Sequence, residues 1–529
     1  MKETDYDLRI CRIKQERRAV KNAGRVAVNR EFKDLAEREI RRVPRGTWSI
    51  FLTRFFVSFS SMEKDRKKII PFNIYYNSIF FIPFFSVIIS CQSNFNDNSQ
   101  TTIQTNPTFE DIAPIIYKNC TPCHRAGESG PFELMTYADA KKNANKIKFV
   151  TQVRYMPPWP ADASYTHFIG ERTLTNNEIE LIKRWVDNGT PQGDETKTPK
   201  APSLYFGSSL GKPDTVIRFN RAVPIKGNGD DHFYIVKIPM KLAKDTFVRY
   251  FEFVPDQRKL AHHINGHLIN YEDGKKKELQ SGSSYALDEY KEYKNVYAQL
   301  NILNDDGSFP TLTPNTVYYL PGYTPPIYPK EIGGYKINKT AAILLKSIHY
   351  GPSNADALDS SHINVFYGPK PKRPIRETQL GTFGISKIEP EFILQANQVQ
   401  TFHTQATLDA DISLLSVNPH MHLLGKTFWA FAIKPNGDTL PLIKIKKWDF
   451  RWQYYYTYQH PIKISAGTTI HVYGTFDNTS KNPFNPNRPP KQVVQGEAVK
   501  SMRTTQEMFQ FIFSYLTYQN GDEQIDLRK

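Results

Sequence analysis

The sequence predicts a multidomain chain in which a small all-α domain is followed by two all-β sandwiches. Three observations carry this reading. Between Phe109 and Asp194 the pattern is helical: an amphipathic stretch ends at Cys120, and TNNEIELIKRWVDNG offers Thr175 as N-cap, apolar residues at helical spacing and a stop at Gly189. From about Ser203 the texture changes to short alternating runs (TVIRF, HFYIVKI, TFVRYFEFV, AAILLKSIHY, TTIHVYGTF) separated by Pro, Gly, Asn and Asp, as strands of sandwiches are. Proline and charge then crowd into PKPKRPIRETQLG, residues 369–381, which reads as a linker. The expected domains are therefore 109–195, 203–370 and 382–529.

The segment ahead of them reads as targeting. Lys64 to Lys68 form a positive region, Ile79 to Ile89 (IFFIPFFSVII) a short apolar run, and Ser90-Cys91 a small residue before a cysteine. The run is too short for an ordinary membrane-spanning helix. It resembles a bacterial lipoprotein signal over 62–91, with Cys91 becoming the lipidated first residue and 92–108 a polar tether; an uncleaved signal anchor is the alternative. Residues 1–61, with 15 Lys and Arg against 8 Asp and Glu, fit poorly before an export signal; the expectation is an over-extended reading frame with Met62 the better start, and a cytoplasmic basic tail is the alternative. This leading region carries over half of the +16 formal charge, so the remainder is mildly basic and calls for no nucleic-acid partner. The expected location is the periplasmic side of a bacterial envelope, lipid-anchored to a membrane.

The stretch N-C-T-P-C-H-R, residues 119–125, holds two of the four cysteines. Covalent haem attachment, a thioredoxin-like redox pair and half a zinc site compete for a Cys-x-x-Cys-His. The adjacent His favours haem, since Cys120 and Cys123 can hold the porphyrin edge by thioethers while His124 ligates iron. A zinc site lacks its second pair, because Cys11 and Cys91 stand alone. The helical domain is then a small cytochrome c. Its sixth ligand is expected at Met156, where the prolines of R-Y-M-P-P-W-P stiffen an extended loop; Met135 and His167 are rivals.

Three histidine motifs lie in the β region. His420 and His422 (N-P-H-M-H-L-L-G-K) stand two apart in a strand-like run, so one face can present both to a single metal. His262-His263 (L-A-H-H-I-N-G-H) cannot share a face of a regular strand and would need a twisted or terminal position as ligands. His349 closes the apolar strand LLKSIHY just before Gly351-Pro352, at a sheet rim. The other β-region histidines, His232, His267, His362, His403, His460 and His471, belong to no motif and read as ordinary hydrogen-bonded side chains.

The order HH, HYG, HxHLxGK and then a Met in T-T-x-E-M (TTQEMFQF) resembles the copper type II, ascorbate-dependent monooxygenases, the peptidylglycine α-hydroxylating and dopamine β-monooxygenase family with its bacterial relatives, over about residues 205–525. The resemblance implies two jelly-roll-like copper domains. His262, His263 and His349 would bind an electron-storing copper, and His420, His422 and Met508 an oxygen-activating copper, so that two copper ions join the one covalent c-type haem expected from the Cys-x-x-Cys-His motif. In that family the Met-ligated copper forms the oxidant that abstracts hydrogen from a substrate C–H bond, and the distant copper supplies the second electron across a solvent-filled cleft. A thioether suits Cu(I), whereas three imidazoles accommodate both oxidation states. The implied activity is hydroxylation of a small-molecule C–H bond by O2, with reducing equivalents from ascorbate or a periplasmic donor relayed by the haem.

Two positions depart from the peptide-amidating members. An Arg two residues before HxH and a Tyr four residues after the ligand Met would hold a peptide carboxylate; here they are Asn418 and Ile512, so a substrate carboxylate loses its bidentate partner. A non-catalytic haem and copper carrier or redox sensor is the competing expectation. Steady reductant-coupled O2 uptake separates it from an enzyme.

Overall fold

A computed structural model describes residues 106–528 apart from 204–206, 289–291, 324–327, 330–331, 333, 383 and 496–504. The expectations for 1–61, the signal at 62–91, Cys91 and all but the last residues of the tether lie outside the described residues. Among the described residues no helix is long and apolar enough to cross a membrane.

Four helices form the first unit: Phe109–Asn119, Tyr137–Lys142, Ala144–Gln152 and Asn176–Asp187. Their ends are written in the sequence. Thr175 caps the last helix by accepting from the Glu178 amide, while the Glu178 carboxylate reaches back to the Thr175 amide, a reciprocal capping box that Thr136 and Asp139 repeat. Gly189, just past that helix, sits at φ +82°, which a side chain would strain. Phe109, Ile112, Ile116, Ile147, Ile182 and Trp185 close a small core.

The first β domain packs two antiparallel sheets. One runs in the order Tyr285–Leu287, His232–Lys241, Thr340–Tyr350, Ala261–Asn270, Leu312–Tyr319; the other runs Thr215–Arg218, His362–Tyr367, Thr246–Val254, Tyr335–Ile337. The second domain repeats the plan. Arg376–Leu380, Phe509–Thr517, Ile412–Met421 and Tyr456–Ile464 make one sheet, and Ile388–Glu389, Val399–Thr407, Thr469–Asp477, Gly425–Ile433 and Thr439–Ile445 the other. Alternating burial along Thr469–Asp477 is what a strand with one wet face requires.

Two boundaries differ from expectation. Arg376–Leu380 is a strand paired with Phe509–Thr517, so the linker stops short of residue 381; its polar residues read as linker because only the pairing partner gives them order. Residues 158–169 also leave the helical unit and pack on the second β domain. The Asp162 amide donates to the Lys444 carbonyl and the Ile169 amide to the Thr457 carbonyl, while Ala161 and Phe168 enter that domain's core. The segment 109–195 is thus one stretch of sequence but not one detached body.

Candidate metal centres

At the first centre the expected difficulty with adjacent histidines is resolved by irregular pairing. His263 faces His349 across the ladder between Ala261–Asn270 and Thr340–Tyr350, and the register slips on both sides of His263. Such a bulge twists the strand and re-aims side chains. Both rings therefore reach His349, with centroids 4.8 Å from it for His262 and 5.0 Å for His263. Gly351 explains itself here: a Cβ on it would stand 2.4 Å from Nε2 and Cε1 of His262.

His349 is buried, and its Nδ1 meets no hydrogen-bond partner among the described residues. A buried nitrogen left without a partner costs about 1–3 kcal/mol. A metal at that atom removes the cost, so the His349 nitrogen is suited to ligate copper.

The second centre assembles His420, His422 and Met508. The two imidazoles are perpendicular with centroids 5.1 Å apart, and Nε2 of His420 is 3.2 Å from Sδ of Met508. His420 is the penultimate residue of its strand, paired with Gln510, whereas His422 lies just past the strand end. Each ring is oriented from its far side. Nδ1 of His420 faces the side-chain carbonyl of Gln453, and Nδ1 of His422 faces the main-chain carbonyl of Gln506 at 2.7 Å. With Nδ1 the donor, Nε2 of each keeps its lone pair for a metal.

Burial pushes His420 down to about 4 and His422, with His420 beside it, down to about 3. Both stay neutral, as ligands must. His263 is driven well below its ordinary range by burial and then by His349, His262, His420 and His422. The two centres lie on either side of one aromatic ring. Phe450 sits by both, its ring centroid 5.6 Å from that of His422 and 6.3 Å from that of His263.

Sequence reasoning missed the groups that brace this centre. Glu507 is buried and takes the amides of His422 at 2.9 Å and Leu424 at 2.6 Å, tying the histidine loop to the methionine segment. Burial raises it to about 8, against the pull of those amides. Its place directly before Met508 was the one available signal. Gln453 and Phe450 carry none, since only the tertiary fold brings residues 450–453 to the histidines. Asn418 is also explained: its amide donates to the main-chain carbonyls of Gln453 at 3.2 Å and Tyr454 at 2.9 Å, and it pairs across the sheet with Ile512. Neither position offers a cation for a carboxylate.

In the helical unit Cys120 and Cys123 are free thiols. Burial pushes Cys120 up to about 12, with Cys123 adding, and burial likewise raises Cys123. Nδ1 of His124 meets the carbonyl of Phe132 at 2.9 Å, which leaves Nε2 as the nitrogen for an iron, and a Cβ on Gly130 would crowd Nδ1 at 2.9 Å. These residues fit a c-type haem. His167 is turned to solvent, its side chain 79 % exposed and paired with Glu171. Met156 occupies the half-buried loop between Tyr155, whose hydroxyl accepts from Arg451 at 3.0 Å, and Pro158, whose carbonyl accepts from Tyr454 at 3.2 Å.

No curated protein matches the chain. A solved structure of PNGF-II aligns with 57 % of this chain at 8 % identity and a TM-score of 0.17, and this chain covers 60 % of it; a likeness so slight supports no argument. Residues 386–485, which include His420 and His422 and end before Met508, match the family model described as copper type II ascorbate-dependent monooxygenase, C-terminal domain, and that match supports this family.

Proposed function

We propose that this chain hydroxylates a C–H bond of a small molecule with O2, using two copper ions and a c-type haem. The family match supports copper monooxygenase activity in general. The observation that carries the fuller reading is the convergence of two imidazoles and a thioether, with Nε2 of His420 3.2 Å from Sδ of Met508 and both Nδ1 atoms held from behind. Copper bound there supplies one-electron chemistry toward O2.

The chain's own residues supply the rest. Gln453 and the Gln506 carbonyl fix ring tautomer and direction, Glu507 fixes the loop, and Phe450 places an aromatic ring beside both His263 and His422. His262, His263 and His349 would hold the second ion. Cys120 and Cys123 would carry the haem, with His124 and Met156 as axial ligands, and ascorbate or a periplasmic donor would supply electrons. Asn418 and Ile512 support a substrate without a carboxylate anchor, so small aromatic and aliphatic molecules are the first candidates. An envelope location with a lipid on Cys91 would suit haem attachment, which requires export.

The test is steady ascorbate-dependent O2 uptake by the copper-loaded chain, with a product heavier by one oxygen atom that derives from labelled O2. Reductant oxidation without any oxygenated product would leave an electron carrier instead.

A further inference from the structure

The two centres differ in what stands behind their imidazoles. At the second centre both supports are neutral: the Gln453 side chain behind His420 and the Gln506 main chain behind His422. At the first centre a carboxylate does this. Oδ1 of Asp231 lies 2.7 Å from Nε2 of His349, and their side chains are 38 % and 10 % exposed.

Four features make this a built arrangement. Asp231 directly precedes the strand His232–Lys241, which pairs with the strand carrying His349 and sets Phe233 opposite it. Phe233 stacks on the His349 ring at 4.4 Å with 12° between planes, so one ring face is fixed by the aromatic and one ring edge by the acid. The remaining nitrogen, Nδ1, is the buried atom without a partner among the described residues. Ligand atoms of Asp231, His262 and His349 all lie within 4.8 Å of one another.

We propose that Asp231 is a positioning residue of the first copper centre: it accepts the Nε2–H of His349, fixes that tautomer and so commits Nδ1 to the metal. The proposal rests on the copper reading above and adds a chemical difference between the two centres. A carboxylate on the remote nitrogen makes the imidazole a stronger donor, which favours Cu(II). The thioether and neutral supports of the second centre favour Cu(I). Asp231 thereby holds the first centre at the lower reduction potential.

The experiment uses the full chain in a His422→Ala background, so that Cu(II) signals report the first centre, and compares Asp231, Asp231→Asn and Asp231→Glu. Copper titration, redox potentiometry and the electron spin-echo signature of the remote imidazole nitrogens are recorded. The expected Asp231→Asn result is copper bound about 10–100-fold more weakly, a raised potential and an altered coupling for one remote nitrogen, with Asp231→Glu restoring part of each. Equal affinity, potential and coupling in Asp231→Asn overturns the proposal while leaving the copper reading intact. So does a Cu(II) spectrum in which Asp231→Asn removes a directly coordinated oxygen, since Asp231 would then be a ligand itself. Absence of copper from the parent chain overturns both.

Discussion

Nε2 of His420 lies 3.2 Å from Sδ of Met508, although 88 residues separate the two in sequence. The pairing of Ile412–Met421 with Phe509–Thr517 produces this meeting, because it sets His420 opposite Gln510 and carries Met508 in just ahead of the strand. Met508→Ile keeps much of the volume and removes the thioether. Hydroxylation is expected to disappear with the fold and any haem spectrum unchanged, as product analysis and absorption spectra would record; retained turnover would remove Met508 from the centre.

Gln453 acts on His420 from the opposite edge. Gln453→Ala deletes the acceptor that fixes the ring, and second-centre copper affinity should fall about 10–100-fold, while the first centre is unaffected. Copper titration of the variant, resolved into two classes of site, checks this.

The metal-free protein should lose stability in mild acid. His420 and His422 have folded values of about 4 and about 3, below the ordinary value of 6.5. Between pH 6.5 and about 4 the unfolded chain therefore binds protons that the folded chain refuses, so stability falls as pH falls. Each group contributes up to about 1.4 kcal/mol per pH unit across that window. Denaturant midpoints measured at pH 6.5, 5.5 and 4.5 should decline, and His422→Phe should flatten the decline.

Docking of residues 158–169 on the second β domain makes Trp159 structural. Its ring lies 5.5 Å from that of Tyr454 and 5.3 Å from that of Tyr456. Trp159→Ala should cost about 3 kcal/mol, the low end for a large aromatic because the side chain is only half-buried. A shift in the denaturant midpoint of the whole chain reads it out.

Met156→Ala addresses the haem. If Met156 is the sixth ligand, the variant should pass from a low-spin to a high-spin spectrum with the covalent haem retained. An unchanged spectrum would point to Met135.

Much of this molecule was legible from local pattern. The N-cap at Thr175, the alternation of Thr469–Asp477 and the spacing of His420 and His422 all follow from neighbours in sequence. The bulge at His263 was legible only as a difficulty: adjacent histidines on a regular strand point apart, and the slipped register that answers this depends on the partner strand. Asp231, Gln453 and Phe450 were invisible because no motif contains them; each acquires its role from a contact across 118, 33 or 28 positions. Arg376–Leu380 was hidden by its composition, polar and charged beside prolines, until Phe509–Thr517 gives it a ladder.

The measurement that bears most directly on the two-centre account is copper per chain in the copper-loaded protein, set beside the same count for a chain carrying both His420→Ala and His422→Ala. Two ions are expected in the first and one in the second. No specifically bound copper, or two in both, would contradict it.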